Sequence, residues 1–358
     1  MRRIALGAAF AVAAVSPALA DGPTIAKYHA PIGVMGDHMH DKGEVMFSYR
    51  FMRMEMEGSR IGTDSVSPET IVTTVPNRFF GRPMQPPTLR VAPLRMTMDM
   101  HMLGAMYAPT DWLTLMAMGM LVDKEMDHVT FQGASGTTEL GAFRTKTFGI
   151  GDMTVGGLVR LFDSAAGGIR HRAHLNLALS LPSGSISETG EILTPTGATP
   201  RPRLPYPMQL GSGTFDLKPG ATYTGASDAF SWGAQYLATV RTGNNGEGYT
   251  LGDRHEATAW AQWGPAPSIA FSSRIAFSAA DPIEGADPAI VAPVQTGDPD
   301  FQGGDRLDVG LGVNLAGQRG AAKGHRLAAE ILFPIYQDLN GPQLETDWTL
   351  TIGWQKAF

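Results

Sequence analysis

This sequence predicts an all-β fold, a transmembrane antiparallel up-and-down β-barrel of about twelve strands with a short irregular N-terminal segment. Three observations predict it. The amino terminus carries an export leader, the carboxyl terminus is an alternating strand ending on an aromatic residue, and the strands between are joined by alternately short and long connections.

In the leader, Arg2 and Arg3 precede an apolar run from Ile4 to Val15, Ser16-Pro17 ends the run, and Ala18-Leu19-Ala20 supplies the small residues a signal peptidase reads. Residues 1–20 therefore read as a signal peptide, because the run is too short to cross about 30 Å of hydrocarbon at about 1.5 Å per residue. Residues 21–43 show little periodicity and read as either a periplasmic tail or a plug in the lumen. The barrel then occupies residues 44–358.

The first strand runs from Glu44 to Met56, with Val45, Phe47, Tyr49 and Phe51 on one face and Glu44, Ser48 and Arg50 on the other. Leu94 to Tyr107 and Trp112 to Val122 form a hairpin across Ala108-Pro109-Thr110-Asp111. Further strands lie near Phe148 to Phe162, Arg172 to Leu181, Met208 to Tyr223, Phe230 to Arg241, Glu256 to Trp263, Ser268 to Ala279, Asp305 to Leu315 and His325 to Tyr336. The last strand, Thr346 to Phe358, puts Trp348, Leu350, Ile352, Trp354 and Phe358 on one face, broken only at Lys356, with Thr349, Thr351, Gly353 and Gln355 on the other. Lipid outside and water inside impose that division, and the strand is expected to close the barrel against the one beginning near Glu44. Long connections are expected at Glu57 to Pro93, Asp123 to Lys146, Pro182 to Pro207, Thr242 to Arg254 and Ala280 to Gly304. Such asymmetry belongs to barrels with short periplasmic turns and long outer loops, which places this one in the outer membrane of a Gram-negative bacterium.

Composition agrees. A mean hydropathy of -0.07 suits strands that are apolar only at alternate positions. No cysteine is present, so neither a disulfide framework nor a thiolate metal site is available. The 43 glycines and 25 prolines favour many turns over long helices, and a net charge of -6 argues against nucleic acid as a partner. No Gly-x-Ser-x-Gly elbow, His-Glu-x-x-His pair or phosphate loop appears, so no enzyme is expected and no catalytic residue is assigned.

Methionine is the unusual feature, with 19 in the chain. Met52, Met54 and Met56 share a face with Ser48 and Arg50, and Met116, Met118 and Met120 share one with Thr114; both sets are expected in the lumen. Met96, Met98, Met100 and Met102 alternate with Thr97, Asp99 and His101, which puts the methionines toward lipid and leaves Asp99 and His101 as lumen residues beside Arg50. Lumenal thioethers make an adaptable surface for small apolar ligands. They are also soft donors that favour Cu(I), and with His29, Met35, His38, Met39 and His40 nearby they make copper binding the alternative to a site with no cofactor.

The stretch Pro31-Ile32-Gly33-Val34-Met35-Gly36-Asp37-His38-Met39-His40, the strand Ser48-Tyr49-Arg50-Phe51-Met52, the turn Tyr107-Ala108-Pro109-Thr110-Asp111-Trp112 and Ala178-Leu179-Ser180-Leu181-Pro182-Ser183-Gly184 resemble outer-membrane transporter-like proteins of phenol meta-cleavage pathways. That group is similar in architecture to fatty-acid and aromatic-hydrocarbon transporters. The resemblance implies passive uptake of a small, hydrophobic or aromatic solute without ATP. It also implies outer-membrane lipid, lipopolysaccharide and, through the carboxyl-terminal strand, the barrel-assembly machinery as partners. Oligomeric state is left open.

Overall fold

The computed structural model describes residues 25–358, so the expected signal peptide lies outside it. In chain order the elements are β1 (Val45–Gly62), β2 (Asp64–Val66), α1 (Pro68–Thr74), β3 (Val91–Thr110), β4 (Leu113–Phe131), β5 (Glu139–Ile150), β6 (Met153–Ala166), β7 (Ile169–Leu181), β8 (Asp216–Ala226), β9 (Phe230–Arg241), β10 (Tyr249–Thr250), β11 (Arg254–Ala266), β12 (Ile269–Ala280), β13 (Glu284–Gly285), β14 (Gly304–Ala316) and β15 (His325–Ala357). Every pairing in the main sheet is antiparallel, and β15 returns to pair with β1, so the wall closes on itself. Closure satisfies backbone donors and acceptors that an open edge would leave unpaired in lipid.

Eleven strands make this wall, with β2 and β5 off its path. The 33-residue β15 lies along β14 with its first half and along β1 with its second, Leu339 being opposite both Gly304 and Gly62. The chain therefore crosses the wall twelve times. β5 and β6 both run antiparallel to β4, opposite Leu121–Phe131 and Leu113–Met118 respectively, so they are two parts of one line interrupted at Gly151-Asp152.

Short turns gather at one end. Gly167 and Gly168, at φ 60° and 79°, make the two-residue link between β6 and β7, a conformation that a Cβ would oppose. Long connections gather at the other end, with two revisions. The strand expected from Met208 begins only at Asp216, which lengthens the connection before it. The segment expected as a loop from Asp123 to Lys146 is largely strand, since β4 continues to Phe131 and β5 begins at Glu139. Its charges face outward and pair across strands: Arg144 bonds Asp127 at 2.6 and 2.8 Å, and Lys146 reaches Glu125 at 2.7 Å and Asp123 at 3.2 Å.

Outward side chains nearer the short turns are apolar or aromatic, among them Phe47, Tyr49, Leu103, Tyr107, Leu115, Leu177, Phe271 and Leu311, all exposed. Lumenal positions on the same strands are buried and often polar. In the closing strand Thr349, Thr351 and Gln355 are buried while Ile352 is 47 % exposed, the division its alternation predicts.

Candidate functional site

At the short-turn end the segment from Ala26 to Glu44 lies inside the barrel, held by lumenal side chains from around the wall. A segment without regular structure leaves its carbonyls in need of donors, and inward amides supply them. Asn176 of β7 donates to Gly36 O at 2.9 Å, Gln235 of β9 to Met35 O at 2.8 Å, Gln262 of β11 to His29 O at 2.8 Å and Asn314 of β14 to His29 O at 3.0 Å. Arg326 of β15, only 2 % exposed, donates to Ala30 O at 2.5 Å and to Asn314 Oδ1 at 2.7 Å. On β4, Thr114 Oγ1 accepts from His40 N at 3.1 Å. Gly33 passes so close to the buried Arg274–Glu330 ion pair that a Cβ there would stand 2.3 Å from Glu330 Oε2; its own N–H donates to that oxygen at 3.0 Å. These single Asn and Gln residues at inward strand positions are the signal for a plug that alternation alone does not reveal.

Beyond the plug, one sector of the lumen is methionine. Met52, Met54 and Met56 of β1 stand opposite Met100, Met98 and Met96 of β3, while Met102, Met106 and Met96 stand opposite Met120, Met116 and Met126 of β4. With Met118 beside them and Met46 of β1 opposite Met106, thirteen of the 19 methionines share one inner face. The face is inward because it carries Arg50, whose Nη1 donates to Met35 Sδ of the plug at 2.8 Å, and because Met96 and Met126 pack against Leu204 and Met208 of the β7–β8 connection.

The structure thus places Met96, Met98, Met100 and Met102 in the lumen, the reverse of the expectation from β3 alone, and turns Asp99 and His101 outward. Arg53, not Arg50, pairs with Asp99, at 2.6 and 2.7 Å, and His101 Nδ1 lies 2.8 Å from Tyr49 Oη on the outer surface. β3 in isolation invites the wrong choice because its acidic and imidazole groups lie on the face that, on this strand, rises out of the apolar band. Arg50, Met52, Met54, Met56, Met116 and Met118 lie on the inner face as expected.

The histidines of the plug converge. His38 lies with its ring centroid 4.6 Å from that of His29 and 4.9 Å from that of His40. Asp37 is 4 % exposed, takes His38 Nδ1 at 2.8 Å on one oxygen and accepts from Ala30 N at 2.8 Å on the other. Burial works to raise its carboxyl, but the charge and hydrogen bond of His38, with Arg326 and His29, hold it well below the usual carboxylate range. Burial, reinforced by Arg326, pushes His29 well below the ordinary imidazole value; burial also lowers His40, against the hydrogen bond that its ring donates to Glu44. Met35 and Met39 lie on the same segment, Met35 against Arg50 and Met39 half-buried.

At the long-loop end the connections fold over the lumen. Arg90, fully buried, donates to the carbonyls of Gly133 at 3.1 Å, Gly136 at 2.8 Å and Gln132 at 2.9 Å, and so fixes the β4–β5 connection. Tyr206, Tyr249, Ile283 and Ile290, drawn from three connections, form an apolar cluster. Beside them opens a cavity of about 730 Å³ lined by Phe80, Pro86, Phe143, Ile192, Pro200 and Val294, among others. Sequence reading assigned nothing to this cavity, because its walls come from connections that no strand period describes.

No family model matches the chain, and no curated protein is similar to it in sequence. Its fold is similar to that of a crystallised outer-membrane channel from Pseudomonas putida F1, at a TM-score of 0.57 and 11% identity, covering 91% of this chain and 99% of that one. Weaker likenesses include a Pseudomonas aeruginosa FadL homologue (TM-score 0.43, 10% identity, 87% and 90% covered) and the P. putida toluene transporter TodX (0.39, 11%, 88% and 89%). The first of these likenesses and the closed wall together show the fold, an all-β antiparallel barrel like that of the P. putida channel.

Proposed function

We propose that this protein is an outer-membrane channel of a Gram-negative bacterium, exported by its leader, for passive entry of small hydrophobic or aromatic molecules. It acts as a channel and not as an enzyme. The long-loop end faces the medium, the short turns face the periplasm, outer-membrane lipid and lipopolysaccharide surround the wall, and the barrel-assembly machinery engages the closing strand. One observation carries the reading: the apolar cavity among the loops borders, through Ile192, the apolar cluster that meets the methionine wall. Ile192 lines that cavity and also packs on the cluster of Met96, Met126, Leu204 and Met208. An apolar solute would leave water in the cavity and then meet thioethers, whose flexible, polarisable side chains adapt to different shapes without demanding hydrogen bonds.

The test is reconstitution into liposomes, with influx of small aromatic solutes measured against polar solutes of equal size. Apolar solutes should enter faster, and replacing Met98 and Met100 together by Glu should slow them several-fold, since an apolar solute gains nothing from displacing water around a charge. Absence of influx for every apolar solute tried would sink the proposal.

A further inference from the structure

The plug holds three imidazole nitrogens that its hydrogen bonding does not explain. His29 Nδ1, His38 Nε2 and His40 Nε2 are all buried and, among the described residues, have no hydrogen-bond partner. A buried polar atom left unpaired gives up its hydration with nothing in return, so three on neighbouring rings of one short segment need a reason.

The opposite edges of two rings supply it. His38 Nδ1 meets Asp37 Oδ1 at 2.8 Å, and His40 Nδ1 meets Glu44 Oε2 at 3.2 Å. A carboxylate at Nδ1 keeps the proton on that nitrogen, fixes the ring's direction and leaves the Nε2 lone pair free, which is how a carboxylate supports a histidine that ligates a metal. One ligand atom each from His29, Asp37 and His38 lie within 4.8 Å of one another; His40 stands outside that group, its ring centroid 4.9 Å from that of His38, so a side-chain movement is needed to bring all three imidazoles to a single ion.

The surroundings narrow the ion. Asp37 already feels Arg50 and Arg326, so the pocket offers little excess negative charge to a hard, oxygen-seeking dication such as Ca²⁺ or Mg²⁺. Neutral imidazoles suit late transition metals, and the singly charged cuprous ion adds least to the two guanidiniums. Thioether is a further soft donor. Met35 Sδ is taken by Arg50, but a Cβ at Gly36 would lie 3.9 Å from the sulfur of Met116, where the methionine wall meets the plug.

We propose that His29, His38 and His40 form a copper site in the plug, with Cu(I) held by imidazole nitrogen at the foot of the methionine wall. The site does not depend on what the channel carries, and solute influx can fail while copper binding stands.

The experiment equilibrates the purified full-length barrel with Cu(I) under reductant, and separately with Zn²⁺, against a chromophoric chelator, and counts metal per chain. The expected result is one tightly held copper. His38→Ala and the double variant His29→Ala/His40→Ala should weaken it more than tenfold. Asp37→Asn should weaken it by about 10–100-fold through loss of ring support, while Met98→Leu/Met100→Leu should retain it. Heat-modifiable migration on a gel checks that each variant is a closed barrel, and X-ray absorption of the loaded wild type should show nitrogen neighbours. Copper no greater than in an unrelated barrel, equal copper in folded His38→Ala, or zinc held in preference to copper would each overturn the assignment.

Discussion

Asn314 shows how much one inward amide organises. Its Nδ2 donates to His29 O at 3.0 Å and to Gln262 Oε1 at 2.8 Å, while its Oδ1 accepts from Arg326 at 2.7 Å, so it couples the plug to β11 and β15 at once. Asn314→Leu removes those bonds; His29 O keeps Gln262 and Arg326 keeps Ala30 O, but Gln262 Oε1 is left without a donor among the described residues, at about 1 kcal/mol or more for the buried group left unpaired. The expected outcome is a barrel that still migrates as folded but whose plug is cut by added protease faster than wild type; an unchanged cleavage rate would refute the anchoring role. At this scale the sequence shows the residue but not its partner. An Asn at an inward strand position is legible, whereas the carbonyl it serves is separated from it by 285 residues.

At the scale of the element, β3 is the instructive case. A period of two separates Met96, Met98, Met100 and Met102 from Thr97, Asp99 and His101, but it does not say which set faces inward, and a slip of one residue exchanges them. Pairing with β1 decides. Arg53 stands opposite Asp99 and Met52 opposite Met100, and on the far side Asp99 faces Asp123, a like pair offset by Arg53 and Lys146. Polarity misleads here because the wall outgrows the apolar band: above Phe51 and His101 the outer face of β1, β3, β4 and β5 becomes a lattice of ion pairs that solvent screens. The chain contains no cysteine, so single-cysteine labelling reads the orientation directly. In lipid vesicles, Met100→Cys should react with a water-soluble thiol reagent through the lumen, and Leu103→Cys should be protected from it yet sensitive to a lipid-dissolved quencher. The opposite pattern would show that the methionines face lipid.

For the whole molecule, an obstruction at each end encloses the methionine sector. The short-turn end is occupied by Ala26 to Glu44 and the other by connections gathered around Arg90 and the Tyr206–Tyr249 cluster. Deleting residues 26–42 should therefore leave a closed, heat-modifiable barrel and raise single-channel conductance several-fold in planar bilayers. Conductance equal to wild type would mean that the segment does not limit passage. The twelve crossings, the closure of β15 on β1 and the aromatic end of the last strand follow from local pattern, since each strand reports its own two faces and each turn its own residues.

The sequence by itself determined that this is an antiparallel barrel, where most strands lie, and that the strand beginning near Glu44 and the strand ending at Phe358 close it. Those features depend on period, turn chemistry and the need to leave no strand edge in lipid, all of which are local or follow from closure. Only the tertiary structure decided that residues 26–44 enter the lumen, that three strands of methionine form one inner wall, and that His29, His38 and His40 face one another. Each of these depends on register between distant strands and on which inward side chain meets which carbonyl. Such matches are fixed by the ring as a whole, and no single segment encodes them.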